Sequence, residues 1–495
     1  MPNLVSAEQQ ARTRSRNASE VRFRAMCFAA IAATALFLVF LIGNLIIQAI
    51  PAATMSSVPV TVFVDPEKVD AKELLAGDYP AMLRAGITKQ FPKVQTRVER
   101  KKLLELLSTS ASDEIQRRVK ADPSLIGKEI TLSAPLSADA DMFLKGQQTK
   151  TTLNSSTAPL TLKPSGEGFS LTSDGHKFAK GDIVMTPTGA LRVTSTDNNV
   201  TQAEVLEAPD ETSSVAAGQW RVMSFADSEG SRRTGDQEAV WLQRLNDQGK
   251  ITSGPNWPLV TNGDSRAPEQ AGLRGAFVGS LFTIAITLLT SLPLGVAAAV
   301  YLEEFAPKNR FTDLIEVNIN NLAAVPSIIF GLLGLAVFLN MFGFPRSSPL
   351  VGGLVLALLV LPTIIISARA AMRSVPPSIK EAALGVGASH QQAVFHHVLP
   401  LAVPGILTGT ILGVARALGE TAPLLMIGMV AFIVDVPSRM TDAATALPVQ
   451  VYLWSTLPEA AFRSRTAAAI VMLLVVLLCF NALAIYLRNK FERRW

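Results

Sequence analysis

The chain has 495 residues, of which 49% are hydrophobic and 17% are charged. Soluble globular domains carry about 25% charged residues, so this composition disfavours a wholly soluble protein, and it excludes a disordered one. The net charge is +5, but residues 51–268 hold 25 Lys or Arg against 27 Asp or Glu, so the basic excess lies outside this near-neutral middle. Basic residues that flank apolar runs are typical of membrane orientation, and we expect no nucleic-acid partner.

Six stretches are apolar and long enough to cross a lipid bilayer as helices. Such a helix needs about 20 uncharged, mainly apolar residues to span about 30 Å of hydrocarbon. The fifth stretch contains two charged residues, Arg416 and Glu420, and its prolines, Pro404 and Pro423, allow it to bend. The stretches are 25–50, 275–302, 317–345, 347–368, 401–434 and 466–487. The sequence therefore predicts an α-helical integral membrane protein with six transmembrane helices.

The basic residues next to these stretches indicate which side of the membrane each end occupies. The N-terminal tail (1–24) carries five arginines, and the C-terminal tail (488–495) carries Arg488, Lys490, Arg493 and Arg494. Both tails are therefore expected in the cytoplasm. The first stretch has 26 uncharged residues, more than the roughly 7–15 apolar residues of a signal peptide, so we interpret it as a retained anchor.

This orientation places residues 51–270 outside the cytoplasmic membrane as an inserted α+β domain. Leucines at helical spacing occupy residues 70–120, and β-like segments follow at 130–133, 169–172, 182–186 and 191–195. The stretch 149–157, rich in Ser and Thr, is expected to be a loop. His176 stands alone, and Cys27 and Cys479 lie in apolar runs, so no catalytic or metal constellation is visible.

Residues 374–400 form the loop between the fourth and fifth stretches. It contains Glu381, Ala382 and Ala383, then Gly387, which permits a sharp turn, and finally Pro400, where a helix begins again. This spacing resembles the EAA loop of ABC importer permeases, in which the loop docks into a cleft of the ATP-hydrolysing subunit. The chain has His397 where that family usually has an aliphatic residue. The alternative is an ordinary cytoplasmic helical hairpin.

Two segments narrow the resemblance. Residues 405–425, which include Arg-Ala-Leu-Gly-Glu-Thr-Ala-Pro, and residues 446–452 resemble the PstA-type permeases of phosphate-specific ABC importers. The resemblance covers roughly 272–495 together with the first anchor, and it implies a type I importer permease fold whose core lies at 271–487. It also implies that ATPase closure is transmitted by Glu381, Ala382, Ala383 and Gly387. The long insertion is similar to a domain of unknown function in some PstA proteins.

The resemblance also implies partners and a role for this chain as a non-enzymatic subunit. The implied partners are a second, PstC-like permease, a PstB-like ATPase dimer and a periplasmic PstS-like phosphate-binding protein. The implied substrate is inorganic phosphate. No cofactor is expected in this chain, since ATP would be bound by the ATPase subunit. The sequence itself contains no Gly-x-x-x-x-Gly-Lys-Ser/Thr phosphate loop.

The position of Arg416 and Glu420 in an apolar stretch requires an explanation, because placing a charge at mid-bilayer costs at least about 2.5–3.5 kcal/mol. They are four residues apart, the spacing at which opposite charges pair on a helix. They form either a structural ion pair or a part of the substrate pathway, where the guanidinium would bind phosphate oxygens. Arg369 is a further pathway candidate by resemblance, or else a topological charge.

Three glycines in the same stretch, Gly405, Gly409 and Gly413, allow close approach of another helix, which we expect to belong to a partner subunit. Two alternative functions remain open. One is a permease for another oxyanion, such as sulfate, molybdate or phosphonate; one is a membrane sensor or interaction protein. A secondary transporter is disfavoured, because no repeat halves are visible.

Overall fold

The computed structural model describes residues 7–69, 74–149, 151–166, 168–173, 176–197, 200–210 and 214–491. Arg493 and Arg494 of the basic C-terminal tail lie outside the described residues, as do residues 1–6 of the N-terminal tail. The described chain forms a bundle of long apolar helices and a mixed α and β domain that is inserted after the first helix.

The first helix, α1 (Ala7–Ala53), lies at the side of the bundle. Its apolar stretch is exposed, and this helix packs mainly against the last helix of the chain, beside which it runs. A helix that is apolar on all sides and exposed is typical of contact with lipid or with another membrane helix. The predicted anchor therefore exists as a continuous helix that also extends beyond its apolar part.

The inserted domain contains short helices and strands. The strands are β1 (Thr54–Phe63), β2 (Glu129–Pro135), β3 (Thr151–Ser155), β4 (Leu160–Ser165), β5 (Gly168–Thr172), β6 (Ile183–Met185), β7 (Ala190–Asp197), β8 (Val200–Glu207), β9 (Ser214–Val215), β10 (Arg221–Phe225) and β11 (Thr252–Pro255). The α-helices are α2 (Tyr79–Lys89), α3 (Arg97–Glu105), α4 (Ser110–Ala121), α5 (Ala138–Leu144), α6 (Asp236–Asp247) and α7 (Trp257–Thr261). Single 3₁₀ turns lie at Pro123–Leu125, Glu229–Ser231 and Pro268–Gln270.

The strands form two antiparallel sheets. In the first, β1 lies between β11 and β2, so that the entry and the exit of the inserted domain are neighbouring strands. The second has the order β3-β10-β6-β7-β8-β5-β4-β9 and its own apolar core around Trp220. The predicted β segments correspond to β2, β5, β6 and β7. The prediction of a loop at 149–157 is wrong, because its β-branched threonines form the edge strand β3, which pairs with β10.

The bundle follows the inserted domain. Its helices are α8 (Arg274–Val300), α9 (Arg310–Ala323), α10 (Ser327–Gly334), α11 (Pro349–Arg373), α12 (Pro377–Gly385), α13 (His390–Ala393), α14 (Leu399–Gly419), α15 (Ala422–Met426), α16 (Leu447–Ser455) and α17 (Ala460–Phe491). Three π-helical segments continue or join helices: Tyr301–Phe305 continues α8, Leu335–Met341 continues α10, and Val394–Val398 joins α13 to α14.

Six crossings can be counted within the part of the chain that the structure describes. Five helices are long and apolar enough to span a membrane, and α9 with the extended α10 makes a sixth if this pair, bent by 102°, is one span. Five of the six predicted stretches therefore contain a helix that is long and apolar enough to span a membrane, and the third, 317–345, contains most of the bent pair. The fifth, 401–434, is helical in one piece only as far as Gly419. Its remainder holds the short α15 and irregular chain, because Pro423 cannot continue α14.

The central helix of the bundle is α11, which packs against α8 on one side and α14 on the other. A Cβ on Gly409 would overlap the Cβ of Ser367, and one on Gly413 would lie 2.5 Å from Val360. The glycines of α14 therefore allow close approach of α11. The expectation that they face a partner subunit is wrong, since this contact lies within the chain.

The inserted domain is fixed to the bundle by apolar and polar contacts. Ala138 and Met142 of α5 pack against Ala461 of α17. Nζ of Lys145 donates to the carbonyl oxygens of Pro51, at 2.7 Å, and Thr54, at 2.6 Å, where α1 meets β1. These bonds satisfy carbonyl groups at the end of α1 that have no partner within the helix. The domain is thus attached at the start of both α17 and its own first strand.

Candidate functional site

Arg416 and Glu420 form an ion pair across the end of a helix. Nε of Arg416 lies 3.5 Å from Oε1 of Glu420. Arg416 occupies the last turn of α14, whereas Glu420 follows the helix with an extended backbone, at φ −78° and ψ 121°. The predicted pair therefore exists, but the prediction that both residues share one helix face is wrong, because α14 ends between them.

The packing of α14 on α11 shows how deep Arg416 lies in the bundle. Gly409 lies against Ser367 and Gly413 against Val360 in this antiparallel pair. Continuing the same register places Arg416 level with residues 357–360, close to the midpoint of α11 (Pro349–Arg373). The charged pair thus lies near mid-depth of the bundle, where an ionised side chain is costly without a partner.

The guanidinium of Arg416 lies on an uncovered face of α14. Its side chain is 46% exposed and that of Glu420 is 21% exposed. Leu412 and Gly419, on the same side of the helix, are also exposed within the described chain. The hydrogen-bond donors that Glu420 leaves free can therefore reach a ligand or a neighbouring subunit.

The helices that follow two helix breaks pack against each other close to this pair. The chain leaves helical geometry at residues 324–326, before α10, and again at residues 420–421, before α15. A Cβ on Gly331 of α10 would lie 2.7 Å from the Cα atom of Pro423 in α15, so the segments after both breaks touch. Irregular backbone at membrane depth is tolerated where it is covered by protein or lines a cavity. The break at Pro326 was missed, although this proline inside an apolar stretch was the available signal.

Arg369, the third predicted pathway residue, has two carboxylate partners. It lies 3.3 Å from Glu303, in the last turn of α8, and 2.5 Å from Glu316 in α9, and its side chain is 14% exposed. By the register of α11 and α14 it is level with Leu407, roughly 13 Å along the helix from Arg416. The structure does not bring Arg369 and Arg416 together, and a role for Arg369 in the pathway stays a prediction.

The 374–400 loop contains two short helices with the predicted turn between them. Helix α12 begins at Pro377, and the chain then turns at Gly387, whose φ of +92° is the left-handed backbone that the predicted sharp turn requires. Ser389 and Gln392 form a capping box at the start of α13. The loop is therefore an ordered structure and not an irregular connection.

The predicted coupling residues differ in exposure. Glu381, Ala382 and Gly387 are exposed, but Ala383 is only 6% exposed and packs towards the interior. Three apolar side chains that the sequence analysis did not select are exposed on the same loop: Leu384 (41%), Val386 (87%) and Phe395 (51%). Exposed apolar side chains clustered on one loop are typical of a protein contact surface.

Parts of the chain match known protein families. Residues 291–494 match the model of the binding-protein-dependent transport system inner membrane component, and residues 10–153 match a domain of unknown function, DUF3333. The probable ABC transporter permease protein YqgI of Bacillus subtilis is 37% identical over 171 residues, which are 34% of this chain and 58% of YqgI.

The phosphate transport system permease protein PstA 1 of Mycobacterium tuberculosis is 31% identical over 229 residues, 46% of this chain and 74% of that protein. The chain belongs to the PstA family. Among solved structures, a chain of the inward-facing MetNI methionine ABC transporter is similar, at 17% identity and a TM-score of 0.36, over 45% of this chain and 96% of that one.

Membership of the PstA family confirms the expected fold class. This PstA-family chain is a multi-pass inner membrane protein with a type I ABC importer permease bundle and an inserted α+β domain. The match to a domain of unknown function covers residues 10–153, and so confirms the resemblance for the first part of the insertion, 51–153. Its relatives are permease subunits and not enzymes, with ATP hydrolysis in a separate subunit.

Proposed function

We propose that this chain is the membrane-spanning permease subunit of an ATP-driven importer that carries inorganic phosphate across the cytoplasmic membrane. The observation that carries the proposal is the 31% identity to PstA 1 over 74% of that protein. The transport-component family model matches residues 291–494, which contain the charged pair and the helix breaks. The inserted domain is an addition to that transport unit.

The orientation follows from the basic residues. The end of the bundle opposite the inserted domain carries several basic residues and the 374–400 loop. The basic residues are Arg16, Arg22 and Arg24 on α1, and Arg488 and Lys490 on α17. The excess of basic residues marks that end as cytoplasmic. Both termini therefore face the cytoplasm, and the inserted domain is periplasmic.

Arg416 is the proposed anion-binding group of the pathway. Its planar guanidinium offers several N–H donors, which match the oxygens of phosphate. Glu420 occupies part of this donor set at 3.5 Å, a length at which the hydrogen bond is weak. A passing anion can therefore replace the carboxylate, and the carboxylate can in turn displace the anion, so that the anion is bound without being trapped.

The 374–400 loop is the proposed contact with the ATPase. Its exposed surface contains Glu381, Ala382 and Gly387, and the side chain of Val386 is 87% exposed. Ala383 would act by packing inside the loop. Closure of the two ATPase subunits would push on this surface and move α11 and α14, which flank the loop. A second, PstC-like permease, a PstB-like ATPase dimer and a PstS-like binding protein complete the importer.

The test is purification of the complex from membranes, followed by reconstitution into lipid vesicles with the binding protein. We expect a second permease and an ATPase to copurify, and we expect ATP-dependent uptake of phosphate. Sulfate, molybdate and phosphonate serve as the comparison anions. Uptake of one of them in place of phosphate would reject the substrate, and the absence of any ATPase from the complex would reject the transport function.

A further inference from the structure

The last turn of α8, the π-helical segment Tyr301–Phe305, contacts the 374–400 loop at two places. The carboxylate of Glu304 pairs with Nζ of Lys380 in α12. The backbone carbonyl oxygen of Glu304 lies 2.9 Å from Nε2 of His390, the first residue of α13. The ring of Phe305 meets the ring of His390 edge to face, with centroids 5.0 Å apart. A single turn of α8 therefore holds both short helices of the loop.

The contacts of Glu304 are sheltered from solvent. Its side chain is 10% exposed and that of Lys380 is 31% exposed. Partial burial reduces the screening of this pair by salt. The carbonyl of Glu304 is one of the acceptors at a helix end that have no donor within the helix, and His390 supplies that donor.

Glu303, the preceding residue, connects the same turn to two other helices. Its carboxylate lies 3.3 Å from Arg369 and 2.8 Å from Arg373, both in α11. Arg369 in turn pairs with Glu316 in α9. Successive residues of a helix point about 100° apart, so neighbouring glutamates reach different partners. The last turn of α8 thus joins α9, α11 and the loop.

We propose that Glu304 is a positioning residue that links the 374–400 loop to α8, so that a displacement of the loop moves α8 together with α11 and α14. This inference rests on the proposed function, in which the loop contacts the ATPase. The chain itself connects the loop to α11 and α14, but Glu304 and Lys380 are 76 residues apart in sequence. The pair therefore supplies a connection that chain continuity does not.

The variants separate this connection from general stability. Glu304→Gln and Lys380→Met each remove one charge, and the double variant Glu304→Lys with Lys380→Glu restores the pair with exchanged charges. Lys308→Met is the matched control, because Lys308 is an exposed lysine next to the same turn. Each protein is reconstituted with its second permease, its ATPase and its binding protein.

The main measurement is the amount of phosphate transported per ATP hydrolysed. We expect the ratio to fall by about fivefold or more in each single variant, as is usual for a coupling contact, to recover in the exchanged pair, and to stay unchanged in Lys308→Met. If the unmodified importer transports phosphate and the single variants keep its ratio, the inference is overturned while the proposed function stands.

A second measurement does not depend on the transported substrate. The affinity of the ATPase subunit for the detergent-solubilised permease pair is compared across the same variants. We expect each single variant to lose affinity by about fivefold and the exchanged pair to recover it. If phosphate is not transported but this pattern appears, the proposed substrate fails and the inference stands. Equal affinities in all variants would overturn the inference on their own.

Discussion

Nε of Arg416 lies 3.5 Å from Oε1 of Glu420, although the helix that carries Arg416 ends at Gly419. The carboxylate therefore comes from irregular chain, whose backbone can adjust more freely than a helix. The guanidinium is held by a regular helix that packs closely on α11. One partner of the pair is fixed and the other can be displaced, as expected of a site that exchanges its carboxylate for an anion.

The first prediction concerns Arg416→Gln. A hydrogen bond to a charged group contributes about 1.5–3 kcal/mol, and about 1.4 kcal/mol corresponds to a factor of ten. We therefore expect phosphate uptake in lipid vesicles to fall by about tenfold or more, while the complex still assembles.

Arg439→Gln serves as the control, because Arg439 is an exposed arginine on the segment that follows α15. It should leave uptake unchanged. Normal uptake by the Arg416→Gln protein would remove Arg416 from the pathway and leave the pair with a structural role.

A second prediction uses the turn of the 374–400 loop. Gly387 has φ +92°, and no atom lies within 4 Å of the position of an added Cβ. Gly387→Leu therefore meets no steric obstacle, but the left-handed backbone costs about 1–2 kcal/mol for a residue with a side chain. The turn should relax and tilt α12, so that phosphate-stimulated ATP hydrolysis by the complex decreases.

Gly385→Leu is the matched control. Gly385 is the last residue of α12, and an added Cβ there also meets nothing within 4 Å. Its backbone is helical, so no comparable strain arises. An equal loss in both variants would attribute the effect to the leucine side chain and contradict the role of the turn.

The third prediction tests the contact between α11 and α14. A Cβ on Gly409 would overlap Ser367, so Gly409→Leu must force the two helices apart. Overpacking of this kind costs about 1–3 kcal/mol, and we expect a lower apparent midpoint of thermal unfolding in detergent. Gly43→Leu in α1 meets nothing within 4 Å and should leave the midpoint unchanged. Equal midpoints for Gly409→Leu and the unmodified chain would show that this contact is not tight.

The sequence allowed prediction of features that depend on local chemistry. The six spans follow from the length and composition of apolar stretches, and the turn at Gly387 follows from the one residue that adopts a left-handed backbone easily. The break after Gly419 was also open to prediction, because a glycine followed closely by Pro423 is a common helix end. These features need no knowledge of distant parts of the chain.

Features that depend on distant contacts could not be predicted from the sequence. Arg369 was selected as a pathway residue, but its partners Glu303 and Glu316 are 66 and 53 residues away along the chain. The buried position of Ala383 and the contact of the α14 glycines with α11 likewise depend on how the helices pack. Periodicity and composition do not determine such pairings.

The last prediction concerns Asp139 of α5, beside a cavity of about 410 Å³ at the junction of the inserted domain and the bundle. Burial raises the pKa of this carboxyl, nearby Arg233 acts in the opposite direction, and Glu269 and Glu459 raise the pKa further. A carboxyl whose pKa is higher in the folded chain than in the unfolded chain favours folding only while it is protonated. Its ionisation therefore lowers the free energy of unfolding. This loss is complete at pH values above the pKa values of both the folded and the unfolded chain, and it is absent at pH values below both.

Asp139→Asn should consequently raise the apparent unfolding midpoint at pH 7, and its advantage over the unmodified chain should shrink as the pH falls towards 4. Asp122→Asn should act with the opposite sign. The hydrogen bond from Ser124 lowers the pKa of Asp122, so its ionised form contributes stability that is lost as the pH falls through that pKa. Thermal unfolding of the full chain in detergent at a fixed heating rate measures both effects, from pH 7 to pH 4 for Asp139 and at pH values below 4 for Asp122, whose pKa lies below its ordinary value. A pH-independent difference for Asp139→Asn would mean that its effect is one of shape and not of charge.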